Sequence, residues 1–105
     1  MPGKLVVTVD GKPKTEYLLD PGEKLIIGRH RDCDVRVRDL AVSARHAALI
    51  TVIEESVIED LGSTNGTYVN GKAISRCMLN DGDIISIGRQ MLVYRGPAEA
   101  PKPSS

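Results

Sequence analysis

Short runs of alternating or continuous apolar residues recur along the chain, each closed by a turn signal. Lys4–Val9 (KLVVTV) ends at Asp10-Gly11, a dipeptide suited to a hairpin, and Glu16–Leu19 follows it. Pro21-Gly22 makes a second turn before Lys24–Ile27. Asp34–Val37 is a short alternating piece, His46–Ile53 is a longer one rich in β-branched residues, and Ser56–Glu59 comes next. After Asp60 come Thr67–Val69, the short Ala73-Ile74, a turn at Asn80-Asp81-Gly82-Asp83, then Ile84–Ile87 and Gln90–Tyr94. No stretch repeats apolar residues at i, i+3 and i+4 over the roughly ten positions a helix needs. The pattern predicts an all-β domain, a sandwich or barrel, over residues 1–95. Gly96–Ser105 (GPAEAPKPSS) has little to bury and reads as a flexible tail or linker.

Composition sharpens the core. The 105 residues include three Tyr but no Phe or Trp, so the interior must be built from Val, Ile and Leu. At this length one domain can bury a core without staples. Net charge is zero, from 14 basic and 14 acidic residues, which demotes DNA or RNA as the main partner. The charge is nevertheless uneven. Arg29, Arg31, Arg36, Arg38 and Arg45 face only Asp32, Asp34 and Asp39 in the same segment, while Glu54, Glu55, Glu59 and Asp60 cluster later. A local anion site is compatible with a neutral chain.

Cys33 and Cys77 show no metal-ligand spacing, and neither a disulfide nor a zinc site is expected. No apolar run approaches the ~18 residues that would suggest a membrane span, and no signal segment is evident. A reduced, cytoplasmic protein without cofactor or metal is the expectation. Asn65-Gly66-Thr67 matches a glycosylation acceptor, an accidental match in such a setting.

Three polar loops could carry chemistry: Gly28–Asp34, Leu40–Arg45 and Leu61–Gly66. Taken singly, Gly28-Arg29 reads as a strand end with an exposed arginine, and His46 as a structural histidine entering a strand. Ser43, His46 and Asp60 are the only residues available for a hydrolase triad. No Gly-x-Ser-x-Gly elbow surrounds Ser43, and a domain this small leaves little room for a cleft, so catalysis is not expected. The stretch DLGSTNGTYVNG, Asp60 to Gly71, raises a sharper question. It holds two Asn-Gly pairs, and only the first is embedded among Ser63, Thr64 and Thr67.

In this order, Gly28-Arg29, Ser43-x-x-His46, and Ser63-Thr64-Asn65-Gly66-Thr67 with Val69-Asn70-Gly71 resemble the forkhead-associated (FHA) domain, over roughly Leu5 to Tyr94. The resemblance implies an antiparallel β-sandwich of two sheets and about eleven strands, with ligand loops at one apex. It also implies a non-catalytic module that binds phosphothreonine on a partner protein, such as a Ser/Thr kinase or its substrate, and neither nucleic acid nor membrane. On this resemblance Arg29, Ser43, Thr64 and Asn65 bind the phosphopeptide, with Arg45 adding charge at the rim. Gly28, His46, Gly66 and Thr67 form its scaffold, Thr67 through a bond from its side chain to the backbone. The chemistry fits, since a phosphothreonine carries nearly two negative charges and three acceptor oxygens, suited to a planar guanidinium and hydroxyl donors. An asparagine amide can both donate to and accept from a ligand main chain. Ala44 departs from the pattern, because many family members place a polar or basic side chain there. One lost charge-assisted bond costs on the order of 1.5–3 kcal/mol. The alternative is therefore a degenerate site on the same fold, used for phosphate-independent interaction or assembly.

Overall fold

The computed structural model describes residues 3–9 and 12–97. Eleven strands are formed: β1 (Gly3–Val9), β2 (Lys12–Leu19), β3 (Lys24–Gly28), β4 (Val35–Arg36), β5 (Ala47–Val52), β6 (Glu55–Asp60), β7 (Thr67–Val69), β8 (Lys72–Ile74), β9 (Arg76–Met78), β10 (Ile84–Ile87) and β11 (Gln90–Arg95). They make a six-stranded sheet, β2-β1-β11-β10-β7-β8, and a five-stranded sheet, β4-β3-β5-β6-β9. All pairings are antiparallel except one. β4 lies parallel to β3, with Ile27 opposite Val35, so the second sheet is mixed where a wholly antiparallel one was expected. The β3–β4 connection turns the chain back on itself, and the apex loops begin there.

Alternation along the strands delivers the core. Leu5, Ile27, Leu49, Ile58, Ile85, Ile87 and Leu92 are fully buried between the sheets. Tyr94 is the one aromatic residue in this cluster of buried side chains, as expected of a chain without Phe or Trp. β9 was not legible in the sequence: Arg-Cys-Met has no alternation or β-branching of its own, and it becomes a strand by pairing with β6. The hairpin expected at Asp10-Gly11 lies outside the described residues, although β1 and β2 on either side of it pair antiparallel. So does most of the predicted tail. Gly96, assigned to that tail, instead donates its N–H to Asp81 Oδ1 at 3.0 Å.

Two hairpin turns contrast. Asn70 (φ 51°) and Gly71 (φ 85°) are both left-handed and join β7 to β8 as a two-residue turn, which these residue types favour. Between β5 and β6, however, Ile53 takes φ 55° with 74% of its surface exposed. The strand predicted to reach Ile53 ends at Val52 for this reason, since a β-branched residue in left-handed geometry cannot continue it. Left-handed backbone costs roughly 1–2 kcal/mol for an ordinary L-residue, and an exposed Ile recovers little by packing. Ile53→Asn is therefore expected to stabilise the domain by about 1 kcal/mol in chemical denaturation, with an unchanged denaturant slope.

Candidate functional site

The three polar loops meet at one end of the sandwich, and backbone hydrogen bonds bring the first two together. Arg29 and His30 donate their N–H groups to the carbonyls of Ser43 and Ala44, at 3.0 and 3.1 Å. This approach explains Gly28. A Cβ on Gly28 would stand 2.2 Å from the Ala44 carbonyl oxygen, so any side chain would force the loops apart. Cys33 closes the same corner by donating its thiol to that carbonyl at 3.1 Å.

His46 links the second loop to the third. Its ring is fully buried. Nδ1 accepts the Ser43 N–H at 3.1 Å, which places the ring proton on Nε2, and Nε2 donates to the Gly66 carbonyl at 2.7 Å. Both nitrogens are thus committed to backbone. The histidine neither faces the Ser43 hydroxyl as a base nor meets Asp60, so the only conceivable triad is not assembled.

Asp60 organises the third loop. Its carboxylate accepts the hydroxyls of Ser63 and Thr67, the latter at 2.7 Å, and the N–H groups of Gly62 and Ser63 at 3.1 and 3.2 Å. Ser63 Oγ in turn accepts the Gly66 N–H at 3.0 Å. Thr67 therefore braces the loop through the Asp60 side chain, not through the backbone as expected. Although Asp60 follows Glu54, Glu55 and Glu59 in the acidic run of the sequence, it is half-buried, and both of its carboxylate oxygens are engaged. Burial opposes its ionisation, but the hydrogen bonds from Ser63, Thr67 and Gly62 outweigh that and hold its carboxyl below the ordinary aspartate value. Asp60 and Ser63 were missed as loop-building residues. The signal available was an aspartate three residues before a serine, a spacing that favours local side-chain to backbone bonding.

Asp39 was missed too. Its carboxylate accepts N–H groups from Ala41 (2.9 Å) and Arg89 (2.8 Å), pinning the second loop to the β10–β11 turn. These bonds, the Ala41 one foremost, lower its pKa.

The binding candidates are gathered on this frame. Arg29 donates Nε to the Val42 carbonyl at 3.0 Å, and its Nη groups make no hydrogen bond among the described residues. Ser43 Oγ accepts the Thr64 N–H at 3.0 Å, which leaves the hydroxyl proton to be donated elsewhere. The Thr64 hydroxyl is unengaged among the described residues. Asn65 donates one Nδ2 hydrogen to the Ala41 carbonyl at 2.8 Å, keeping its other amide hydrogen and its oxygen available. Arg45 is exposed at the rim. The two Asn-Gly pairs differ as their surroundings suggest: at the first only Gly66 is left-handed (φ 86°), and Asn65 is held by its side chain.

Residues 25–88 match the FHA domain family. The chain is 39% identical over 97 residues to the oxoglutarate dehydrogenase inhibitor of Corynebacterium jeikeium, covering 91% of this chain and 67% of that protein. It is 37% identical over 101 residues to the glycogen accumulation regulator GarA of Mycobacterium tuberculosis, covering 93% of this chain and 62% of that one. The chain thus spans about two thirds or less of the length of these relatives. Among solved structures, a domain studied for phosphothreonine-dependent FHA domain interactions superposes with a TM-score of 0.85 at 33% identity, covering 94% of this chain and all of that one.

The depressed pKa of Asp60 fixes the sign of a pH effect. Its stabilising contribution is complete above the unfolded value of about 3.9 and is lost as pH falls through the lower folded value. Amide signals of Gly62, Ser63 and Gly66 should therefore shift together in a titration below about pH 3.9, with the loop ordered at neutral pH. Asp60→Ala, which leaves the Ser63 and Thr67 hydroxyls without their acceptor, should cost roughly 1–3 kcal/mol in denaturation and abolish that titration step.

Proposed function

The chain belongs to the FHA domain family, and from that membership we propose that it is a non-catalytic docking module that binds phosphothreonine on a partner protein in Ser/Thr kinase signalling. The observation that carries the reading is the set of uncommitted donors at the apex. The Arg29 Nη groups, the Ser43 hydroxyl proton and the Thr64 hydroxyl lie on loops fastened to one another through main-chain bonds. A phosphoryl group presents three acceptor oxygens and needs such a set of donors.

The roles follow from the atoms. Arg29 supplies charge and paired N–H donors, with Nε anchored so that little side-chain entropy is lost on binding. Ser43 and Thr64 donate their hydroxyls to further oxygens. Asn65 holds the peptide main chain through its remaining amide hydrogen and its oxygen. Arg45 adds long-range attraction at the rim. Gly28, His46, Gly66 and Thr67, with Asp60, Ser63 and Asp39, hold these groups in place. Ala44 removes one potential phosphate contact without disturbing the others. The uncommitted donors favour this reading over a degenerate, phosphate-independent site.

The partner is a protein bearing phosphothreonine, either a Ser/Thr kinase or one of its substrates, and the relatives named as an inhibitor and a regulator support a regulatory role for the docking. We place the module in the cytoplasm, in keeping with two free thiols, Cys33 and Cys77.

Fluorescence anisotropy against a phosphothreonine peptide library, with matched threonine and phosphoserine libraries, tests the reading. Saturable binding is expected for phosphothreonine alone. Arg29→Ala should weaken it by at least about a hundredfold and Ser43→Ala by about tenfold, as expected for charge-assisted bonds. Equal binding to phosphorylated and unphosphorylated peptides, or binding that survives Arg29→Ala, would overturn it.

A further inference from the structure

Two free sheet edges face each other along one flank of the sandwich, β2 from the six-stranded sheet and β4 from the five-stranded one. Between them runs a groove of about 440 Å³. Val7 and Tyr17 contribute apolar surface to it, with the buried Val37 also lining it, Arg36 and Arg38 stand at its side, and among the described residues no carboxylate lines it. Both arginines are exposed, and neither has an ion-pair partner among the described residues. In a chain of zero net charge, cations left unpaired over an apolar surface are a local feature that the overall composition does not require.

The groove is continuous with the apex. Arg36 donates Nε to the Arg29 carbonyl at 3.3 Å, so the residue bordering the groove also touches the phosphate-binding arginine. Arg38 and Gln90 line both this groove and a neighbouring cleft of about 350 Å³ that reaches Ala41, whose carbonyl holds Asn65. The acidic group in that cleft, Asp39, has each carboxylate oxygen occupied by a backbone N–H, from Ala41 and from Arg89.

We propose that this groove receives an extended, carboxylate-rich stretch of the same polypeptide that carries the phosphothreonine, its acidic side chains on Arg36 and Arg38 and an apolar residue against Val7 and Tyr17. The inference rests on the phosphothreonine reading and deepens it. Partners are then selected twice, by phosphate at Arg29 and by an acidic flank at the groove. Charge complementarity argues for an acidic occupant, and the apolar surface argues for a peptide over a nucleic-acid backbone. An extended chain advances about 3.3 Å per residue, so about six residues beyond the phosphothreonine span roughly 20 Å.

The test compares three phosphothreonine peptides: one with neutral flanks, one with a glutamate-rich run on the N-terminal side, and one with that run on the C-terminal side. One acidic placement should bind roughly fivefold more tightly than the neutral peptide at low salt, as expected for two exposed ion pairs. That gain should vanish in Arg38→Glu, while the neutral phosphothreonine peptide should be weakened by no more than about twofold in the same variant. The amide signals of Thr15 and Tyr17, on the wall opposite the arginines, should move with the favoured acidic peptide only. Binding of all three peptides with equal affinity, or a gain that survives Arg38→Glu combined with Arg36→Gln, overturns the groove and leaves the phosphothreonine reading intact. Failure of all three to bind overturns both. Concentration-dependent self-association of the free protein that Arg38→Glu abolishes assigns the groove to a second copy of the chain and overturns the proposal.

Discussion

The buried imidazole of His46 holds two loops that have no secondary structure of their own. One nitrogen accepts from Ser43 and the other donates to Gly66, so the distance between the second and third apex loops is set by the width of one aromatic ring. Its main chain serves the same end, since its N–H donates to the Ile27 carbonyl and its C=O accepts from Leu61, each within 3 Å. A residue entering a central strand thereby transmits the rigidity of the sandwich to a site that lies beyond it. Substituting a smaller side chain would leave two partly buried loop groups without partners, each costing up to about 1–3 kcal/mol.

Around that tie, two carboxylates do what helix caps do elsewhere. Asp60 gathers the turn from Gly62 to Thr67, and Asp39 fastens Ala41 to the β10–β11 turn. Both act on backbone N–H groups that a loop cannot pair by itself. The groups proposed to meet ligand are themselves partly engaged: Arg29 through Nε, Ser43 as an acceptor, Asn65 through one amide hydrogen. Each is held by one part and offered by another. That division limits the ordering entropy that binding must overcome.

Charge follows the same logic of position over composition. Acidic and basic residues balance across the chain, yet the ion pairs of permanently charged side chains among the described residues are Lys4–Glu16 and Arg76–Glu59. Arg29, Arg36, Arg38, Arg45 and Arg89 have no such partner, and the carboxylates near them, Asp39 and Asp60, are occupied by hydrogen-bond donors of the loops. A neutral protein can therefore present a positive end, and a field of that kind acts on the approach of an anionic partner as well as on its binding.

Local chemistry determined much of this in advance. Alternation of aliphatic residues placed most strands because a side chain every second position must point inward, and Asn70-Gly71 specified its own hairpin because both residues tolerate left-handed backbone. The motif residues Arg29, Ser43, Thr64 and Asn65 could be named from the chain through a family likeness, their order and spacing being properties of the sequence. What depended on distant partners was not legible. β9 exists because β6 lies beside it, β4 runs parallel because the chain after Gly28 returns to bring Asp34 beside Ile26 and then resumes the direction of β3, and Asp60 looks like one more surface acid until the loop closes over it. Ile53 stands in left-handed geometry against its own preference because β5 and β6 pair on either side of it. In each case the deciding energy comes from contacts between segments far apart in sequence or imposed by the sheet, and only tertiary structure brings those contacts into being.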